Sequence, residues 1–207
     1  LLSPEHFSSG FNVGFRKALK SYCKEKKMHF FANSEHTKID FCRITGVTLD
    51  KVTVTYLAAD TKVFFPCRKE DKLEEVKKKY NISNQPYFFC FSRFIERKNP
   101  FLLIKAFLSF LQTHKNSGVK LVFAGINLKS SSNSYLNQAL EFCLQNGLQG
   151  HIHWVEFVEE KDLPILYSGS LACFFPSFYE GFGLTILEAM QCGSPVVTSN
   201  TSSIPEV

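Results

Sequence analysis

From Tyr87 to the end of the chain, short apolar runs alternate with segments of helical spacing, and no other feature constrains the fold as strongly. Tyr87–Phe91 is continuously apolar, as suits a strand buried on both faces of a parallel sheet. Pro100–His114 then sets Leu103, Ile104, Phe107, Leu108 and Leu111 along one side of a helix. Further strands are expected at Lys120–Ala124, Ile152–Val155, Leu171–Phe175 and Pro195–Thr198. Helices are expected between them, at Tyr135–Asn146 with a stop at Gly147, at Asp162–Gly169 and at Leu184–Cys192. Asp162 lies near the cap of its helix, and Pro164 is tolerated in a first turn. This β-α-β-α order predicts an α/β fold with a doubly wound sheet. Such sheets take ligands in the crevice beyond the carboxyl ends of their strands, so the informative residues should directly follow strands.

Upstream, Phe11–Lys27 has Phe11, Phe15, Leu19, Tyr22 and Cys23 at helical spacing, with Arg16, Lys17, Lys20, Lys24, Lys26 and Lys27 opposite. That basic side reads as a solvated face, with contact to anionic lipid head groups as the alternative. Met28–Ala32 predicts a short buried strand. Ser34–Thr45 predicts a helix capped by Ser34 and stopped by Gly46. Lys51–Leu57 alternates as a strand does. Between Asp60 and Gln85 the pattern loosens around Pro66, a charge cluster from Arg68 to Lys72, and Lys77-Lys-Lys79. This stretch is expected to be a connector with one exposed helix. It divides the chain into residues 1–58, a crossover at 59–85, and a second domain at 86–207.

Composition narrows the function. The 207 residues are 44% hydrophobic, which excludes a disordered or fibrous chain. No run reaches the ~18 apolar residues of a membrane span. The opening Leu-Leu-Ser-Pro-Glu has no basic or apolar leader region, so it is expected to be a cut inside a longer chain rather than a signal peptide. A cytoplasmic setting follows as the expectation, with peripheral contact at the inner membrane face as its extension. Twenty-four Lys and Arg against nineteen Asp and Glu give +5, which suits an anionic ligand without demanding nucleic acid. Seven scattered cysteines without a C-x-x-C pair point to buried reduced thiols, not to zinc or a disulfide framework. The six histidines are expected in packing or solvent roles, His36 and His153 among them.

Two clusters carry chemistry. Ser92–Asn99 directly follows the strand at Tyr87–Phe91, and Arg93 and Lys98 can both turn from that loop toward one anion. The second is Pro176-Ser-Phe-Tyr-Glu-Gly-Phe-Gly-Leu-Thr-Ile-Leu-Glu-Ala-Met190, a loop opening into a helix near Leu184. Gly181 and Gly183 lack Cβ atoms, so the backbone there can take unusual angles and approach a ligand closely. The free N–H groups and dipole of the helix start favour a phosphate. Glu180 fits beside a phosphate if it accepts hydrogen bonds from sugar hydroxyls. Glu188 lies about one turn into the helix, ~6 Å along its axis at 1.5 Å per residue, and ribose hydroxyls would supply the donors a carboxylate there needs. The helix dipole alone would account for Glu188, but not for Glu180 with its glycines.

The second block, extended through Gln-Cys-Gly-Ser-Pro-Val-Val197, resembles the signature of the retaining glycosyltransferases of family 4, which have the GT-B fold. Ser92-Arg93 through Arg97-Lys98-Asn99 resembles that family's Gly-Arg…Lys donor loop, with Ser92 where Gly is usual. Ala32-Asn-Ser-Glu35 and Val54–Asp60 are similar to its last amino-terminal strand and domain crossover. Glu156–Asp162, ahead of Leu166-Tyr167, is similar to the loop that cradles the nucleotide base. The likeness runs from about residue 28 onward.

It implies a nearly complete carboxy-terminal Rossmann-like domain, truncated at its end, plus the tail of the amino-terminal one. It implies a hexose moved from a GDP- or UDP-sugar to a glycan or lipid-linked acceptor, with retention through same-face attack and without metal or other cofactor. In that scheme Arg93 and Lys98 grip the diphosphate, helped by the amides of Phe182, Gly183 and Leu184 beyond Gly181. Glu188 holds the ribose, Glu180 the transferred sugar, and the Val158 region the base through its backbone. Arg97-Lys98-Asn99 leans toward mannosyl- and rhamnosyl-type members. With about 60 residues before the boundary, too few for a Rossmann-like half, the chain alone is expected to bind donor weakly without turning over. A non-catalytic nucleotide-sugar-binding module with the same half-fold is the alternative. A dinucleotide-dependent oxidoreductase is disfavoured by the lack of Gly-x-Gly-x-x-Gly after a strand.

Overall fold

The computed structural model describes residues 18–19, 21–23, 28–126, 128 and 134–207. The expected helix at Phe11–Lys27 lies largely outside them; within them Ala18, Leu19, Ser21 and Tyr22 are helical. The chain forms two compact units. The first holds the described residues up to Ala58 together with Tyr179–Gly183 and Asn200–Val207. The second holds Ala59–Phe178 and Leu184–Ser199. The grouping therefore differs from the expected division in two respects. Two short segments of 86–207 pack with the amino-terminal residues, and the connector belongs to the second unit.

The first unit is built on β1 (Phe30–Ala32), α1 (Glu35–Thr45) and β2 (Val52–Val54). The two strands are parallel, with Phe30 opposite Val52 and Ala32 opposite Val54. Ala32 and Val52 are buried, whereas Phe31 is 72% exposed. The expected buried strand is therefore covered on one face alone, because successive side chains point to opposite faces. Ser34 caps α1, its Oγ accepting from the Thr37 amide at 3.0 Å. Gly46 ends the helix in a left-handed conformation, and its amide donates to the Cys42 carbonyl. The Glu206 carboxylate accepts from the Glu35 amide at 2.7 Å and the His36 amide at 2.9 Å. It thereby satisfies two of the donors that a helix start leaves open.

The second unit begins with α2 (Glu70–Lys79) and continues through β3 (Tyr87–Phe91), α3 (Pro100–Thr113), β4 (Lys120–Ala124) and α4 (Ser134–Gln145). Then come β5 (Ile152–Val155), α5 (Leu163–Ser168), β6 (Ala172–Phe175), α6 (Leu184–Gln191) and β7 (Val196–Thr198). From β3 onward, every boundary is within one residue of the sequence expectation. The five strands form one parallel sheet in the order β5-β4-β3-β6-β7.

The sheet is apolar on both sides. On one, Phe88 meets Phe107, Phe110 and Phe174 at ring separations of 6.3, 5.4 and 5.1 Å. Cys90, Leu121 and Phe123 pack there with Leu103, Ile104, Leu136 and Ala139 from α3 and α4. On the other side Phe89 lies 5.5 Å from Tyr167, and the Tyr87 hydroxyl donates to the Leu166 carbonyl at 2.7 Å. Each large apolar side chain buried in this way contributes about 1.5–3 kcal/mol.

The helix of the connector is exposed at most of its positions, as expected, but one side of it is docked. Helix α2 packs against α5, with Val76 and Lys77 buried. Lys77 Nζ lies 5.0 Å from the Tyr87 ring centroid and 3.4 Å from the Gln85 carbonyl oxygen. Burial pulls its pKa down. Asp162 stands at the N-cap position of α5, as expected. It ends a 3-10 turn ahead of α5 and makes no cap bond there; its carboxylate bonds Lys79 and Tyr80 instead.

Candidate functional site

The strand order reverses between β3 and β6, with β4 and β5 on one side and β7 on the other. Connections that leave the two central strands in opposite directions open a crevice at their carboxyl ends. The loop after β3 supplies Arg93 and Lys98. Its anchor is Phe94, which is 3% exposed and has the rings of Phe123, Tyr135 and Trp154 at 5.8, 5.6 and 5.9 Å. A 3-10 turn at Glu96–Lys98 follows, and Asn99, in the left-handed region at φ 51°, leads into Pro100 at the start of α3. Arg93 is exposed and Lys98 half-buried. Burial pushes the Cys90 thiol far up, and the Lys98 ammonium opposes that shift. The Phe178 amide donates to the Arg97 carbonyl at 2.9 Å, joining the loop after β6 to the loop after β3. Ser199 Oγ donates to the Ser177 carbonyl and steadies the same loop from the end of β7.

Helix α6 carries Leu184 at its start and Glu188 in its second turn. Glu188 is half-buried, and its side chain has no hydrogen bond or ion pair among the described residues. Burial, with the Glu160 charge second, pushes its carboxyl up to about 7. The buried Tyr167 hydroxyl on neighbouring α5 also has no hydrogen-bond partner; burial first, then Glu188, push its pKa far up. An unmade bond at such groups costs about 1–3 kcal/mol each, and strongly shifted groups of this sort mark functional sites. Val158, after β5, is buried between exposed Phe157 and half-buried Glu159.

In the first unit, Glu180 is 8% exposed. Its amide donates to Ser202 Oγ at 2.9 Å, and Ser203 Oγ donates to its carbonyl at 2.9 Å. The Gly181 carbonyl accepts from Ser34 Oγ at 2.8 Å and Thr37 Oγ1 at 2.9 Å. The Tyr179 hydroxyl donates to Asp40 Oδ2 at 2.8 Å. Phe182 is buried, its ring 6.2 Å from that of Tyr56. Gly183 takes φ 108°, which glycine alone adopts readily. Gly181 does not take a positive φ, against expectation; a Cβ there would meet Asn33 Nδ2 at an ordinary 3.6 Å.

The candidate residues thus divide between the units. Arg93, Lys98, Val158, Leu184 and Glu188 belong to the second, and Glu180, Gly181, Phe182 and Gly183 to the first. The supports at Ser34, Thr37, Ser202, Ser203 and Glu206 were not foreseen, because they act over long sequence separations and follow no period. His36 sits 3.4 Å from Asp40, and His153 Nε2 is 3.0 Å from the Tyr80 carbonyl oxygen. All seven cysteines are free. Among the described residues no group of three or more His, Cys, Asp or Glu is placed to hold a metal, and no helix is long and apolar enough to cross a membrane.

Residues 72–207 match the family described as glycosyl transferases group 1. The O-antigen chain mannosyltransferase B of Escherichia coli is 33% identical over 174 residues, covering 84% of this chain and 44% of that protein. The structure of Anabaena Alr3699/HepE in complex with UDP and glucose superposes with a TM-score of 0.81 at 23% identity, covering 99% of this chain and 52% of that one. A glycosyltransferase from Rickettsia africae superposes with a TM-score of 0.76 at 24% identity, covering 91% and 49%. These structural likenesses speak for the fold, α/β and Rossmann-like as in GT-B proteins. The chain spans about half the length of each of these three proteins.

Proposed function

The chain belongs to the glycosyl transferases group 1, and from that premise we propose that its second unit holds a nucleotide-diphosphate sugar whose hexose the full-length protein transfers with retention. The observation that carries this reading is Glu188, a half-buried carboxylate one turn into α6 with its pKa raised to about 7 and no hydrogen bond or ion pair among the described residues. Ribose hydroxyls are the donors it lacks. Arg93 and Lys98 bind the diphosphate from the loop after β3, with the amide of Leu184 at the start of α6 as a further donor. Val158 offers its backbone to the base. Glu180 is assigned to the transferred hexose on the family 4 resemblance.

Charge grows on the diphosphate as the glycosidic bond breaks, so contacts made by these two cations strengthen toward the transition state. Each charge-assisted hydrogen bond contributes about 1.5–3 kcal/mol. In this reading the cations, without a metal or other cofactor, neutralise the leaving group, and attack occurs on the face it departs from. A mannosyl donor is favoured by Arg97-Lys98-Asn99 and by the name of the Escherichia coli relative, and the acceptor is a glycan or lipid-linked glycan. The setting in this reading is cytoplasmic, with peripheral contact at the inner membrane face as its extension. Donor-dependent transfer by the full-length protein tests the scheme across GDP-mannose and UDP-glucose. Lys98→Ala should lower turnover by ~10²-fold or more, and Glu180→Ala should lower it too; unchanged rates in both variants would overturn the assignment.

A further inference from the structure

We propose that Tyr80, assisted by Lys79, is a positioning residue that sets the loop Glu156–Glu159 and thereby the preference of the donor site for one nucleobase. This rests on the reading that the Val158 backbone meets the base.

The loop leaves β5 and has no regular structure until the 3-10 turn at Glu160–Asp162. Its far end is held from a distant part of the chain. The Glu159 amide donates to the Tyr80 hydroxyl at 3.0 Å. That hydroxyl donates in turn to Asp162 Oδ2 at 2.7 Å. Lys79 Nζ lies 2.6 Å from the same carboxylate oxygen and also bonds Glu159 Oε1. Lys161 Nζ closes the cluster on Glu159 Oε2 at 2.8 Å. The near end is held as well, since His153 in β5 bonds the Tyr80 carbonyl. One residue, at the end of α2, therefore grips the strand before the loop and the amide that ends it.

The chemistry of the grip is specific. A phenol can accept and donate at once; here it links a backbone amide to a carboxylate that is 5% exposed and needs partners. Lys161 and then Lys79 hold the Glu159 carboxyl well below the usual range, so the cluster stays charged at neutral pH. Within this frame Val158 is buried while Phe157 is 71% exposed. Guanine and uracil present different orders of donors and acceptors along their edges. A loop that reads a base with its own amides and carbonyls discriminates only while their directions are fixed, because hydrogen bonds weaken steeply with misalignment. The exposed surface of α2 and the sheet core are not involved, so the effect should fall on base preference rather than on the chemical step.

The test uses the full-length protein and Tyr80→Phe, with GDP and UDP as probes. Three quantities are read: amide exchange across 156–162, the two nucleotide affinities, and turnover at saturating donor. The expected result is faster exchange at the Glu159 amide, a loss of about 5–10-fold in affinity for the preferred nucleotide, as one lost hydrogen bond gives, and a smaller loss for the other. Turnover at saturation should stay within about twofold. Should Tyr80→Phe fold poorly, Lys79→Met removes the same support from the other side and should shift the ratio the same way. Faster exchange with an unchanged GDP-to-UDP ratio would leave the clamp standing but overturn the proposal through its premise about Val158. Unchanged exchange at Glu159 would overturn the clamp itself. Failure of the unaltered protein to bind either nucleotide would overturn the donor-site reading and this proposal with it.

Discussion

Two loops of this protein lead into structured turns by opposite means. Ser92–Asn99 is fixed by an aromatic side chain, Phe94, pressed among the rings of Phe123, Tyr135 and Trp154. Tyr179–Gly183 is fixed by hydroxyl groups, with Ser34, Thr37, Ser202 and Ser203 each bonded to its backbone. The first anchor is non-directional and resists through burial; the second is directional and resists through several modest bonds. Aromatic anchoring holds the loop from beneath through an apolar ring, so the anchor itself is neither of the loop's cations Arg93 and Lys98. Hydroxyl anchoring engages the Glu180 amide and the Glu180 and Gly181 carbonyls, and so defines the path of the backbone.

The comparison breaks most visibly at Phe94. Phe94→Ala should destabilise the second unit by about 3–5 kcal/mol, the range for a buried Phe cut to Ala, as measured by urea unfolding. A loss under about 1 kcal/mol would show that the ring cluster does not hold the loop.

Ser34→Ala sharpens the other side. Ser34 is fully buried; its Oγ accepts from the Thr37 amide and donates to the Gly181 carbonyl. Losing a helix cap costs about 0.5–2 kcal/mol, and the second bond places the expected loss near the top of that range, about 2 kcal/mol. Thermal unfolding of Ser34→Ala and Ser34→Thr separates bonding from packing, since Thr keeps the hydroxyl. Equal losses in both variants would assign the effect to packing rather than to the bonds.

The same contrast explains what the sequence made legible. The elements from β3 onward fall within one residue of expectation because apolar periodicity is local, and each strand or helix declares itself over a few residues. The family signature made Arg93, Lys98, Glu180 and Glu188 visible for the same reason, being contiguous text. Long-range polar contacts leave no such trace. Asp162 has the local look of a helix cap, but Lys79 and Tyr80, from α2 and its end, claim its carboxylate. Glu206 carries no local signal of a role, yet its carboxylate accepts from two amides at the start of α1, near the other end of the chain. Lys77 was counted among exposed charges, and its docking depends on the Tyr87 ring and the Gln85 carbonyl. Gly181 shares a motif with Gly183, but one of the two alone takes a positive φ.

Glu188 belongs to neither kind of anchor, and the smallest effect follows from that. Its carboxyl titrates near 7 in the folded chain against 4.5 for an unperturbed Glu, because burial and then Glu160 disfavour the charged form. The folded state therefore binds the proton more tightly than the unfolded state does. Stability is undiminished below about pH 4.5, declines as pH rises through the interval up to 7, and is constant above it. Glu188→Gln keeps the shape without the charge, so it should melt with the parent at pH 4.5 and above it at pH 8. The side chain is half exposed, and solvent screening holds the gain below about 1 kcal/mol, or roughly 2–4 °C for a chain of this length. Nucleotide affinity should move the opposite way, because the amide has one acceptor oxygen where the carboxylate offers two to the ribose hydroxyls. A Gln variant that is stabilised at pH 8 and weakened for nucleotide marks a carboxylate retained for its ligand at the expense of the fold. A variant that melts with the parent at every pH would place Glu188 in water and remove it from the site.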